Sequence, residues 1–175
     1  MSTAPPTSAL PPARTPAWPL SRAAIGLWIT QGVLVALAPV VGAVVVAFAV
    51  PDSVGGPVPV LRWLLPALAV VFAGVLIGVR PWVRFRVHHW EVTDEAVYTL
   101  TGWLTRTWTL VPISRIQTVD VTRGAMQQLF GLSTVAVLTA SSQGTVHIPH
   151  LSADIAQRVA DDLAHRAERV RDQAT

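Results

Sequence analysis

Side chains able to do chemistry are few in this chain of 175 residues. There is no cysteine, which removes disulfides and thiolate ligands. The closest metal-like groupings are His88-His89 and His147-x-x-His150. On a strand His147 and His150 point to opposite faces unless Pro149 bends the chain, and no carboxylate nearby completes a set, so they read as exposed histidines. Catalysis needs a nucleophile with a base, a metal set, or two poised carboxylates. No Gly-x-Ser-x-Gly or His-Glu-x-x-His occurs, so the sequence reads as non-enzymatic and without a cofactor. The polar side chains that remain as candidate ligand or partner contacts are Arg106, Arg115, Gln117, Arg123, Gln127 and Gln128, mostly within "ISRIQTVDVTRGAMQQLFGL" (113–132).

The elements that must position them divide the chain in two. Ala23 to Val50 and Trp63 to Val79 contain no ionisable group, and mean hydropathy over the chain is +0.48. About 20 apolar residues cross the roughly 30 Å of a bilayer's hydrocarbon, so spans are expected at about 23–50 and 61–80, within a hairpin of 21–82. The spacing Gly74-x-x-x-Gly78 would let the second helix approach the first. Residues 1–20, rich in Pro, Ser, Thr and Ala, read as a disordered tail.

Charge sets orientation and excludes one partner class. Arg14 and Arg22 precede the first span and Arg80, Arg84 and Arg86 follow the second, so the positive-inside bias puts both termini in the cytoplasm of a multi-pass inner or plasma membrane protein. Trp18, Arg22, Arg80, Trp82, Arg84 and Arg86 are the expected membrane-interface residues. From Val87 onward seven arginines face nine acids, so the basic pI near 11 belongs to the membrane flanks. A net-negative polar part is a poor fit to nucleic acid.

After the second span the pattern becomes β-like. Strands are expected in "FRVHHWEV" (85–92), on either side of Gly102 in "VYTLTGWLTRTWTLV" (97–111), and in "QTVDV", "LSTVAVLTA" and "TVHI", where Val146 and Ile148 share one face. Ile155, Val159, Leu163 and Val170 then recur at helical spacing, with Asp154 in the first turn and Asp162 four before Arg166. Short strands closed by one amphipathic helix fit a pleckstrin-homology-like (PH-like) small barrel over 83–172, an α+β chain with a helical hairpin in front. Within residues 113–132, Gly124 and Gly131 are expected where a side chain would clash, and Met126, Leu129 and Phe130 as one apolar cluster.

The run "LVPISRIQTVDVTRGAMQQLFGLSTVAVLTA" resembles the bacterial membrane-anchored PH-like family of the domain-of-unknown-function-304 type. Its Pro-x-x-Arg-Ile-Gln turn falls at Pro112, Arg115, Ile116 and Gln117. Its Gly, Gln-rich turn and Phe-Gly-Leu fall at Gly124, Gln127, Gln128, Phe130, Gly131 and Leu132. The resemblance covers about residues 20–170 and implies a membrane-tethered interaction module. The expected partners are the bilayer and another membrane protein, such as a multi-domain PH-like relative, or further copies of this chain. Lipid sensing at the cytoplasmic leaflet is the alternative, although an acidic loop with Glu91, Asp94 and Glu95 disfavours an anionic headgroup there.

Overall fold

The computed structural model describes residues 15–51, 56–102, 105–140 and 144–173. A two-residue strand β1 (Trp18–Pro19) precedes helix α1 (Ala23–Ala49). Helix α2 (Val58–Gly74), a π-helical turn (Val75–Val79) and α3 (Arg80–Val87) follow as one long helix. Then come β2 (His89–Val92), β3 (Ala96–Thr101), β4 (Thr107–Pro112), a 3₁₀ turn (Ile113–Arg115), β5 (Ile116–Thr122), short α4 (Ala125–Leu129), β6 (Leu132–Thr139), β7 (Thr145–Ser152) and α5 (Ala153–Gln173).

Ala23–Ala49 and Pro59–Val87 are both long and apolar enough to cross a membrane. The second helix outruns the expected 61–80, because Arg80, Arg84 and Arg86 continue it toward the domain. The stretch 85–92 is therefore half helix, and the strand begins only at His89. The π turn has a local cause. Pro81 has no N–H to give the carbonyl four residues back, and the chain widens just before it, with the Arg80 N–H donating to Val75 instead.

The glycine that lets the two helices come close is Gly32, not Gly74 or Gly78. A Cβ built on Gly32 would lie 2.8 Å from the Leu76 carbonyl oxygen, whereas nothing lies within 4 Å of one on Gly74 or Gly78. At the other end of the hairpin Arg62 donates through Nε to the Ala47 carbonyl, giving one of the unpaired last-turn oxygens of α1 a partner. Asp52 lies outside the described residues.

The strands form two antiparallel sheets, β1-β2-β3-β4 and β5-β6-β7, which are not closed into a barrel. Gly102, at φ +103, turns β3 into β4, and a Cβ there would collide with the Thr105 carbonyl at 1.8 Å. Trp103 and residues 141–143 of the Ser-Ser-Gln-Gly turn lie outside the described residues. As the alternation in "TVHI" predicts, Val146 and Ile148 are buried and Thr145 and His147 exposed.

One core joins the parts. Trp90, Val97 and Val111 come from the first sheet, and Leu132, Val135, Val137, Ile148 and Leu151 from the second. Ala156, Ala160, Leu163 and Ala167 come from α5, which packs on the second sheet. The buried stripe of α5 is thus displaced onto its alanines, with Ile155 left 37% exposed, because small side chains let the helix lie close to the sheet. Burying a residue such as Leu163 contributes roughly 1.5–3 kcal/mol. Leu20, Ala24, Leu27 and Trp28 also belong to this core. Trp18 to Leu20, expected within a disordered tail, are instead ordered, since Trp18 pairs with Trp90 and Leu20 is buried, while residues 1–14 lie outside the described residues.

Candidate functional site

Polar side chains concentrate where the hairpin enters the domain. Trp28, about a turn and a half into α1, is 4% exposed, and the Arg84 guanidinium carbon lies 4.7 Å from its ring centre. The His150 ring meets Trp28 edge-on at 5.2 Å, and the His88 ring lies at 6.1 Å. Neither histidine is a freely exposed surface group, which corrects the sequence expectation: His88 is 7% exposed and His150 is half-buried. His150 also has φ 56, a left-handed conformation that a β-branched residue would strain against.

Hydrogen bonds fix the tautomers. The His88 Nδ1 donates to the Arg84 carbonyl at 2.7 Å. His150 Nδ1 accepts from the Gln127 amide nitrogen at 3.2 Å, which leaves its proton on Nε2. Burial, followed by the Arg84 charge and His88, pushes the His150 imidazole down to about 4. His88 is also lowered, chiefly by burial. Both rings are neutral at pH 7.

Gln127 links this stack to the turn between β5 and β6. Its Oε1 accepts the Gly124 N–H at 3.0 Å, and its amide nitrogen also donates to Thr134 Oγ1 at 2.9 Å. Gly124 itself has room for a Cβ, and Gly131 is needed for φ 63 instead of for close approach, so the expected clashes are absent at both. Met126 and Phe130 pack against the core, but Leu129 points away at 83% exposure and is not part of their cluster. Arg123 Nε donates to the buried Ser133 hydroxyl at 2.7 Å.

The six candidate contact residues do not form one site. Arg123 just precedes α4 and Gln127 and Gln128 lie within it, at the end of the domain that receives the hairpin. Arg106 lies in the β3–β4 turn, which the pairing of His89 with Leu100 also brings to that end. Arg115 and Gln117 sit at the opposite end of β5, roughly 20 Å away at 3.3 Å per residue. At that far end Arg166 of α5 pairs with Asp162 at 2.8 Å and with Asp94 of the β2–β3 turn, so part of the acidic loop is a fold contact. Of the interface candidates, Trp18 and Trp82 are 59% and 54% exposed and Arg84 is half-buried against Trp28.

A groove of about 530 Å³ runs between the β3–β4 hairpin and β7, lined by Thr99, Thr101, Thr107, Trp108, Thr145 and His147 among others. β4 and β7 are edge strands of their sheets. The sequence predicts the strands on either side of Gly102 but does not single out the threonine row. That row was legible as alternate residues of adjacent strands.

Two spanning-length helices, a pair of unclosed sheets and a closing helix define a membrane-tethered PH-like chain. Residues 32–167 match the family model described as Bacterial PH domain, and the chain belongs to that family. It is similar to the UPF0699 transmembrane protein YdbS of Bacillus subtilis (strain 168), with 33% identity over 106 residues. That match covers 60% of this chain and 61% of the relative. No solved structure gives a significant match.

Proposed function

We propose that this chain is a non-enzymatic, membrane-anchored interaction module, acting as a scaffold or subunit of a membrane protein complex. The observation that carries the reading is the groove between the β3–β4 hairpin and β7, bounded by edge strands and holding Trp108 at 49% exposure. An edge strand offers unpaired N–H and C=O groups to an added strand, and a half-exposed tryptophan supplies an anchor for it. The partner is another membrane protein, a multi-domain PH-like relative or a second copy. The arginine distribution supports a cytoplasmic placement of residues 83–172 and of both termini, in the inner or plasma membrane.

The test is mild-detergent capture of the full-length protein from native membranes, with native sizing and mass spectrometry, beside a Trp108→Asp variant. A stoichiometric membrane partner or a homo-oligomer, lost in the variant, supports the scaffold. A solitary monomer in both samples sinks it.

Lipid sensing is the second reading, favoured by the position of Arg106 and Arg123 at the hairpin end of the domain. It requires the reconstituted full-length protein to prefer vesicles of one headgroup. That preference should vanish when Arg106 and Arg123 are replaced and persist when Arg115, at the far end, is replaced.

A further inference from the structure

Leu129 is the most exposed large apolar side chain among the described residues. Its neighbour Phe130 turns inward and rests on α1 at Gly26, where an added Cβ would lie 3.0 Å from the phenyl ring. The height of that point along the hairpin follows from the helix contact. Gly32 abuts the Leu76 carbonyl, so those two positions are level. Six residues toward the domain lie Gly26 on the first helix and Trp82 on the second, each displaced about 9 Å at 1.5 Å per residue.

Trp82 is half-exposed and stands two residues past Arg80, in the stretch where the outward apolar residues of the second helix give way to Arg80, Arg84 and Arg86. That is where an interfacial tryptophan belongs. Leu129, beside Phe130, is therefore carried at the level of the same boundary. An isolated apolar side chain in water gains nothing from being held out on a helical turn, whereas at the headgroup boundary it leaves water.

We propose that α4 is a membrane wedge that seats Leu129 in the headgroup boundary of the bilayer crossed by the hairpin. The inference rests on the hairpin spanning that bilayer. The wedge gives the domain a second attachment, off the hairpin axis, and so fixes which way its groove faces.

The chain has no cysteine, so single cysteines can be labelled cleanly with an environment-sensitive fluorophore. Leu129→Cys, Ser114→Cys in the exposed far 3₁₀ turn and Val70→Cys in the second helix are reconstituted full-length into phosphatidylcholine–phosphatidylglycerol vesicles. Emission at 129 is expected to shift blue, to be quenched by a shallow lipid-borne spin label, and to resist aqueous iodide. The label at 114 should show the opposite pattern. Iodide quenching without lipid quenching at 129 overturns the wedge. Protection from both quenchers overturns it too, and assigns Leu129 to a protein contact with another copy. Val70 is the control for the hairpin: if a deep lipid quencher fails to reach it, the spanning reading has failed and the wedge falls with it.

Discussion

Arg84 and Trp28 clasp each other across the hairpin, the guanidinium carbon 4.7 Å from the indole centre, at the point where both long helices enter the domain. The pair makes Trp28 a member of two structures at once. It is packed in the domain core and capped by a cation from the second helix.

Removing the ring should therefore do more harm than removing the charge. Trp28→Ala is expected to lower the stability of the full-length protein in detergent by about 3–5 kcal/mol. Arg84→Gln should lower it by about 1 kcal/mol, the scale of a cation–π contact. Chemical denaturation followed by tryptophan fluorescence at another site reads both, and equal effects would contradict the geometry.

The depressed His150 has a definite sign. Its folded form stays neutral to about pH 4, while in the unfolded chain it protonates near 6.5. The unfolded state therefore binds more protons between those values, and stability falls as pH drops from about 6.5 to 4. His88 acts in the same direction. His150→Asn keeps the left-handed backbone accessible and cannot titrate, so melting curves of this variant should lose part of that slope. An unchanged slope would mean the imidazole is not held as described.

Gly32 and Gly78 make a matched pair. Gly32→Ala forces a methyl against the Leu76 carbonyl and is expected to cost roughly 1–3 kcal/mol by overpacking. Gly78→Ala meets open space and should be neutral or slightly stabilising. Thermal unfolding of both variants in the same detergent distinguishes them, and a reversed order would remove Gly32 as the point of approach.

The two adjacent glutamines should separate just as clearly. Gln127→Ala strips partners from the Gly124 N–H, Thr134 and His150 and is expected to cost about 1–3 kcal/mol. Gln128→Ala, at an exposed position, should change stability by less than about 0.5 kcal/mol.

At the far end of the domain, Arg166→Ala releases α5 from Asp94 and the Thr93 carbonyl as well as from Asp162. The expected loss is about 1 kcal/mol and should shrink at high salt, because Asp94 is exposed. A salt-independent loss would point to packing instead of charge.

The two long helices, the meander from Ala96 to Pro112, and the order of the later strands were legible because period and composition act locally. What local pattern missed came from partners distant in sequence. Trp18 and Leu20 look like part of a polar tail until β2 and the core supply what they pack on. Gly32 looks no different from Gly42 until the π turn brings the Leu76 carbonyl to it. His88 and His150 read as surface residues because nothing near them in sequence shows that Trp28, about 60 and 120 residues earlier, will cover them. The family motif located the turn around Gln127 but not the stack it braces, which requires knowing where the hairpin meets the domain.

The first turns of α1 complete the core that β7 and α5 finish, and this sets an order on the protein's manufacture. Leu20, Ala24, Leu27 and Trp28 leave the ribosome early, while Ile148, Leu151 and Leu163 are among the last core residues made. Throughout synthesis of the intervening sequence these early residues lack their final neighbours, so insertion of the helices must precede consolidation of the domain. The β-rich half is accordingly not a detachable cargo on an anchor. A fragment beginning at Val87 would leave a hole in its own core where Trp28 belongs.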